Sequence, residues 1–293
     1  MKESKYLASK TRPPIKCHGG KSYLCRRMIA LFPWHSVYVE PFLGGGSVFL
    51  NKKPASLEVI SDLNYPLINM WRQLQSNSHE FRKALRRVTY DEQTFRESKT
   101  NVLYADPLIS AVAYMCICRM SRGGTGRSFA WSKRLRGIRS DTGPIPGELN
   151  SWNTFLDVDM PRIVERIEDN HVDILCSDWH LVLEEYGNRP HTLIYLDPPY
   201  IKSTRSVRTA YGEHEMQSHE HLELIRYLRN CKATWFLSAY ESTLYTKILG
   251  DFPRHEWSMP NHSGQGKVKQ RRVELLYTNH AAVDFKQLEM EVD

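Results

Sequence analysis

An α/β fold with a mainly parallel sheet is predicted by three observations. Strand-like and helix-like runs alternate through most of the chain. That alternation breaks once, between about Arg82 and Pro161. The last two strand-like runs follow each other with no helix between them, so one of them should run antiparallel.

Taken in order, a helical pattern over Lys21–Phe32 leads into a strand at Ser36–Val39, and a second strand spans Leu57–Ser61. Both strands are short runs rich in β-branched, aromatic or aliphatic residues. Helical periodicity follows over Pro66–Gln75, His79–Arg87 and Pro107–Met120. The stretch Ser121–Trp152 is rich in Gly, Ser and Arg and shows no convincing strand, so residues 82–160 read as an inserted, mainly helical domain. Helices at Met160–Asn170, Ser218–Asn230 and Glu241–Leu249 separate strands at Asp173–Cys176, Thr192–Leu196, Ala233–Leu237, Arg254–Ser258 and Arg272–Thr278. Residues 1–81 and 161–293 thus form the sheet domain.

Composition narrows the function classes. No run reaches the ~18 apolar residues of a membrane span, and the polar N-terminus lacks a signal-peptide core, so a cytosolic protein is predicted. The six cysteines show no C-x-x-C pair, which favours neither a disulfide framework nor a metal site. Cys116 and Cys118, in an apolar helical run, read as buried, inert thiols. The net charge of +7 favours a polyanionic partner weakly, but its distribution says more. Seven basic residues and no acidic one lie between Arg119 and Arg139.

Asp197-Pro198-Pro199-Tyr200 directly follows the strand at Thr192–Leu196. Ligands of open α/β sheets bind at such carboxyl ends. The prolines remove two backbone donors and leave carbonyl acceptors. Asp197 adds a carboxylate and Tyr200 an aromatic face. Two acceptors beside a stacking surface suit the exocyclic amino group of a planar base, adenine or cytosine. A proline-rich turn after a strand is the plainer alternative.

Glu40-Pro41-Phe42-Leu43-Gly44-Gly45-Gly46-Ser47 runs from a strand into a glycine turn. Glycines permit close backbone approach and positive φ. Neither a dinucleotide nor a P-loop fingerprint is present, and Glu40 would repel a pyrophosphate but suit a cation such as S-adenosylmethionine. Asp62 closes the second strand, where an acid binds ribose hydroxyls or caps the following helix. Lys16-Cys17-His18-Gly19-Gly20-Lys21 precedes a helix, where amides and dipole can hold a carboxylate.

In order, K-C-H-G-G-K, E-P-F-L-G-G-G-S, S-D-L-N-Y-P-L-I-N and D-P-P-Y resemble the alpha group of DNA adenine-N6 methyltransferases, the Dam-type family. The resemblance covers the sheet domain, about two thirds of the chain. It implies a Rossmann-like methyltransferase sheet with S-adenosylmethionine over the glycine turn. A target-recognition domain would be inserted before the D-P-P-Y half, and a metal would be absent. Lys21 and Asp62 would contact the cofactor, together with Cys17, Glu40, Phe42, Gly44, Gly46, Asp178 and Asp197. Cys17 stands where the family has tryptophan, so aromatic packing of that position against the cofactor is lost or supplied elsewhere.

The implied reaction is direct methyl transfer to the amino nitrogen of an adenine flipped from double-stranded DNA. Asp197 and the Pro198 carbonyl would accept from that nitrogen, Pro199 would complete the turn and Tyr200 would stack on the base. Arg122, Arg127, Lys133, Arg134, Arg136, Arg205 and Arg208 are the expected DNA contacts, and Lys267, Lys269, Arg271 and Arg272 could assist. Methylation of RNA or of cytosine N4, and a silent DNA-binding relative, stay open. The expected setting is a monomer in the cytoplasm of a bacterial or phage-infected cell.

Overall fold

The computed structural model describes residues 10–16, 20–131, 135–138, 144–168, 171–204, 215–260 and 271–281. Its strands are β1 (Val37–Glu40), β2 (Leu57–Ser61), β3 (Leu135–Ile138), β4 (Pro144–Pro146), β5 (Val172–Leu175), β6 (Thr192–Leu196), β7 (Thr234–Tyr240), β8 (Arg254–Pro260) and β9 (Arg271–Thr278). All but β3 and β4 belong to a seven-stranded sheet, and with the helices they give a mixed α/β fold. The chain resolves into two compact units. One holds residues 1–29 and 43–178, the other residues 30–42 and 179–293.

In the first unit β2 pairs parallel with β5, Glu58 opposite Val172 and Ser61 opposite Leu175. The helix Tyr65–Ser76 starts where the Asn64 side chain accepts from the Leu67 amide, with Pro66 in its first turn. Pro107–Met120 starts the same way, its Asp106 carboxylate accepting from Ile109 at 2.8 Å. This apolar helix packs against Tyr65–Ser76 and Glu92–Asn101, and Cys116 and Cys118 are buried in it. Burial pushes both thiols up to about 12, so they are inert at neutral pH, as their setting predicts.

Beneath β2 lies a buried ion triad. Lys52 Nζ is 2.5 Å from Glu58 Oε1, and Arg166 reaches Glu58 Oε2 at 2.6 Å while stacking over the Phe49 ring. All three charged side chains are essentially inaccessible.

In the second unit β1, β6 and β7 run parallel, with Val37 opposite Thr192 and Leu193 opposite Thr234. β9 is antiparallel to both β7 and β8, which supplies the reversed strand expected near the end of the sequence. Every residue of β6 is buried, as befits a strand inside a parallel array.

Several expectations need correction. Residues 121–152 do contain strands, since β3 and β4 form a two-stranded antiparallel sheet. The helix expected over Lys21–Phe32 is helical only over Cys25–Ile29, after a turn at residues 22–24. Helices at Glu92–Asn101, Gly147–Thr154 and Trp179–Tyr186 lacked a readable pattern. The first buries only Phe95 and Ser98, and holds its start with Asp91 accepting from Thr94.

Candidate active site

β6 delivers Asp197-Pro198-Pro199-Tyr200 at its carboxyl end. Its buried core fixes the strand, and the prolines stop it from continuing. Asp197 is half-buried and Pro198 buried. Tyr200 is only 7% exposed. Its ring meets Tyr240 of β7 edge-on, at 4.5 Å and 73°, and its hydroxyl donates to Glu274 of β9. Burial, then the Glu274 and Asp197 carboxylates, raise the phenol well above its ordinary range, so it stays a donor.

In the same unit Glu40 ends β1 and is 2% exposed. Tyr38, two residues earlier on the same face, donates to Glu40 Oε2 at 2.6 Å. A carboxylate at that depth is costly without such a donor. Phe42 follows, half-buried.

The first unit holds the glycine turn. Gly44 and Gly46 have φ of +49° and +66°, in the left-handed region that favours glycine. Asp62, half-buried at the end of β2, accepts from the Gly44 amide at 3.0 Å through one oxygen and from the Asn64 amide at 3.0 Å through the other. Trp71 Nε1 donates to the Gly44 carbonyl at 3.4 Å. A Cβ on Gly46 would lie 2.9 Å from Trp71, whereas one on Gly44 would meet nothing within 4 Å. The turn is therefore clamped below Gly46 and open at Gly44. The cap reading of Asp62 is corrected: Asn64 caps the helix, and Asp62 ties the turn to the strand end.

Lys21 is buried, and its carbonyl accepts from Leu24 and Cys25. Asp178 is half-buried, immediately after the loop that follows β5. Cys17 lies outside the described residues.

The basic stretch divides by role. Arg122 and Arg127 are exposed, on a loop closed by a Ser121–Phe129 bridge and turning through Gly123, Gly124 and Gly126, all at positive φ. Trp131, 46% exposed, stacks on Phe129 at 6.3 Å. Arg119, by contrast, is only 8% exposed. It donates to the Pro14 and Ser151 carbonyls and lies over the Phe155 ring, and burial lowers it to about 10. It is a structural tie. Lys133, Arg134, Arg205, Arg208, Lys267 and Lys269 fall outside the described residues, as do the side chains of Arg136, Arg271 and Arg272.

Sequence reasoning missed Tyr38 and Glu274. Tyr38 carries a readable signal, an i, i+2 relation to Glu40 in a strand. Glu274 carries none, being 74 residues from Tyr200. Among the described residues no cluster of His, Cys, Asp and Glu could hold a metal ion, and no helix is long and apolar enough to cross a membrane.

Residues 18–260 match the D12 class N6 adenine-specific DNA methyltransferases. The chain is 27% identical over 292 residues to a type II methyltransferase of Lactococcus lactis subsp. cremoris, covering 92% of this chain and 95% of that one. A DNA adenine methylase of Escherichia coli is 30% identical over 222 residues, 72% of this chain and 74% of its own. A DNA N-6-adenine-methyltransferase of Escherichia phage P1 is 26% identical over 226 residues, 74% of this chain but 28% of its own length.

Proposed function

Because the chain belongs to the D12 class of N6 adenine-specific DNA methyltransferases, and so methylates DNA adenine at N6, we propose that the reaction occurs at Asp197-Pro198-Pro199-Tyr200 with S-adenosylmethionine as methyl donor. The observation that carries this reading is the half-buried Asp197 carboxylate, delivered by an entirely buried strand beside a tyrosine tied down at its hydroxyl.

The residues present suit that donor. Gly44 presents open space where a side chain would stand, and the acids Glu40, Asp62 and Asp178 suit a cationic ligand. No lysine follows the glycines to grip a phosphate. Lys21, Glu40, Phe42, Gly44, Gly46, Asp62 and Asp178 would hold the donor, with Asp197 at the junction with the base. S-adenosylmethionine supplies an electrophilic methyl group on a sulfonium.

The protein's part is to make the adenine amino nitrogen a competent nucleophile. Its lone pair is delocalised into the ring. Hydrogen bonds from that amino group to Asp197 and to the Pro198 carbonyl favour a pyramidal nitrogen and stabilise the positive charge that develops on attack. Tyr200 meets the flipped base with its ring. Holding both reactants in line supplies much of the remaining advantage.

Residues 82–160 form the target-recognition part of this proposal and 1–81 with 161–293 the catalytic part. Arg122, Arg127, Lys133, Arg134, Arg136, Arg205 and Arg208 contact duplex DNA, and the protein works as a monomer. Its setting is the cytoplasm of a bacterial or phage-infected cell, which the bacterial and phage origin of its relatives supports.

The test is transfer of a radiolabelled methyl group to unmethylated DNA. Asp197→Ala should abolish transfer and leave the melting temperature near the parent's, because the carboxylate serves the transition state rather than the core. Activity within about tenfold of the parent would remove Asp197 from this role.

A further inference from the structure

Glu274 is an acid in the wrong place for a merely structural sheet. It is 3% exposed on β9, with Val273 exposed before it and Leu275, Leu276, Tyr277 and Thr278 all buried after it. Its strand neighbours in register are Tyr240 on β7 and Trp257 on β8. A carboxylate at that depth is costly unless it is bonded, and its partners include the hydroxyl of Tyr200. Tyr240 completes the arrangement. It stands opposite Glu274 in the ladder, and its ring meets the Tyr200 ring edge-on at 4.5 Å. Tyr200 is thus gripped twice from one side of the sheet, at its hydroxyl by β9 and at its ring by β7.

We propose that Glu274 is a positioning residue for methyl transfer, holding Tyr200 by its hydroxyl so that the D-P-P-Y segment keeps the geometry that orients the target adenine. This rests on the reading that the segment binds that base. A hydroxyl bonded to a side chain fixed in the β ladder holds the tilt of the ring more firmly than packing alone, because a hydrogen bond is directional. Glu274 itself need not touch base or methyl donor.

The experiment compares Glu274→Leu, Glu274→Gln, Tyr200→Phe and the Glu274→Leu/Tyr200→Phe double variant in the full chain. The readouts are labelled methyl transfer to unmethylated genomic DNA, calorimetric affinity for S-adenosylmethionine, and melting temperature. Glu274→Leu and Tyr200→Phe should each lower kcat by about 10- to 100-fold, the range of one charge-assisted hydrogen bond. The double variant should be no slower than the worse single, because both remove the same bond. Glutamine still accepts from the hydroxyl, so Glu274→Gln should recover to within about fivefold of the parent. Affinity for S-adenosylmethionine should stay within about twofold throughout, which a general loosening of the fold would not allow.

Parental kcat in Glu274→Leu, losses that multiply in the double variant, or Glu274→Gln as slow as Glu274→Leu would each overturn the proposal. If Glu274→Leu does not fold, Tyr200→Phe decides: parental kcat leaves no hydroxyl to position and overturns it, whereas a slow Tyr200→Phe beside a fast Glu274→Gln sustains it. A parent enzyme that transfers nothing to DNA adenine would instead overturn the proposed function.

Discussion

Alanine at Gly44 and alanine at Gly46 should do opposite things, although the two positions are two residues apart and share a left-handed backbone. An L-residue in that region costs about 1–2 kcal/mol relative to glycine. At Gly44 this is the whole structural cost, because the new methyl meets nothing within 4 Å. At Gly46 the methyl would sit 2.9 Å and 3.1 Å from two carbons of the Trp71 ring and 3.3 Å from Leu43. Trp71 is fully buried, so overpacking against its ring adds about 1–3 kcal/mol. Gly46→Ala should therefore lose about 2–5 kcal/mol in all and Gly44→Ala only the smaller amount. In a chain of this size 1 kcal/mol is roughly 2–4 °C, so melting curves separate the two. Affinity for S-adenosylmethionine should rank them the other way. Gly44→Ala fills the open space proposed for the donor and should weaken binding by at least about tenfold, as a single ~1.4 kcal/mol steric penalty does. Gly46→Ala points its methyl at the tryptophan and should bind nearly normally wherever it stays folded. Calorimetry at a temperature well below both melting points checks this. A Gly44→Ala protein with the parent's affinity would refute the reasoning, since the space beside Gly44 would not be where the donor lies.

Glu58→Gln should destabilise the protein by about 3–5 kcal/mol, because it leaves Lys52 and Arg166 buried without a counter-charge; denaturant titration within 1 kcal/mol of the parent would contradict this. Burial raises the Glu58 carboxyl, but Lys52 and Arg166 outweigh it and hold it below its ordinary 4.5. The ionised triad therefore contributes fully above about pH 4.5 and fades as pH falls through the folded value, a loss in acid melts that Glu58→Gln should lack. Alanine at Arg122, Arg127, Lys133, Arg134 and Arg136 should flatten the salt dependence of DNA binding by about one unit of slope per lost phosphate contact, with donor affinity unchanged. An unaltered slope would make the loop a solvated surface.

Much of this chain could be read from local sequence because the forces that set those parts are local. The helical pattern over Pro107–Met120 falls on a helix with the same bounds, and the structure adds the Asp106 cap that starts it. The buried run Thr192–Leu196 falls on β6 residue for residue, since a strand covered on both faces shows in composition alone. The reversed strand near the end follows from a missing crossover helix, and chain connectivity permits little else. Helix Glu92–Asn101 was illegible because only one of its two buried residues, Phe95, is apolar; a cap and its neighbour Pro107–Met120 sustain it.

The site divides along the same line. The residues proposed for it come from the motifs: a glycine turn, acids at or just past the ends of β1, β2, β5 and β6, and two prolines beside an aspartate and a tyrosine. How they are held was not. The Asp62 bond to Gly44 joins residues 18 apart, and the grip of Glu274 on Tyr200 joins residues 74 apart. Arg119 counts as a charge in the sequence, yet the fold turns it inward onto Pro14 and Phe155. Sequence determines chemistry at each position and periodicity along each element. Only the tertiary structure decides which side chains lose water and which partner each then finds, because burial depends on residues distant in the chain and an uncompensated buried charge costs more than almost any local preference.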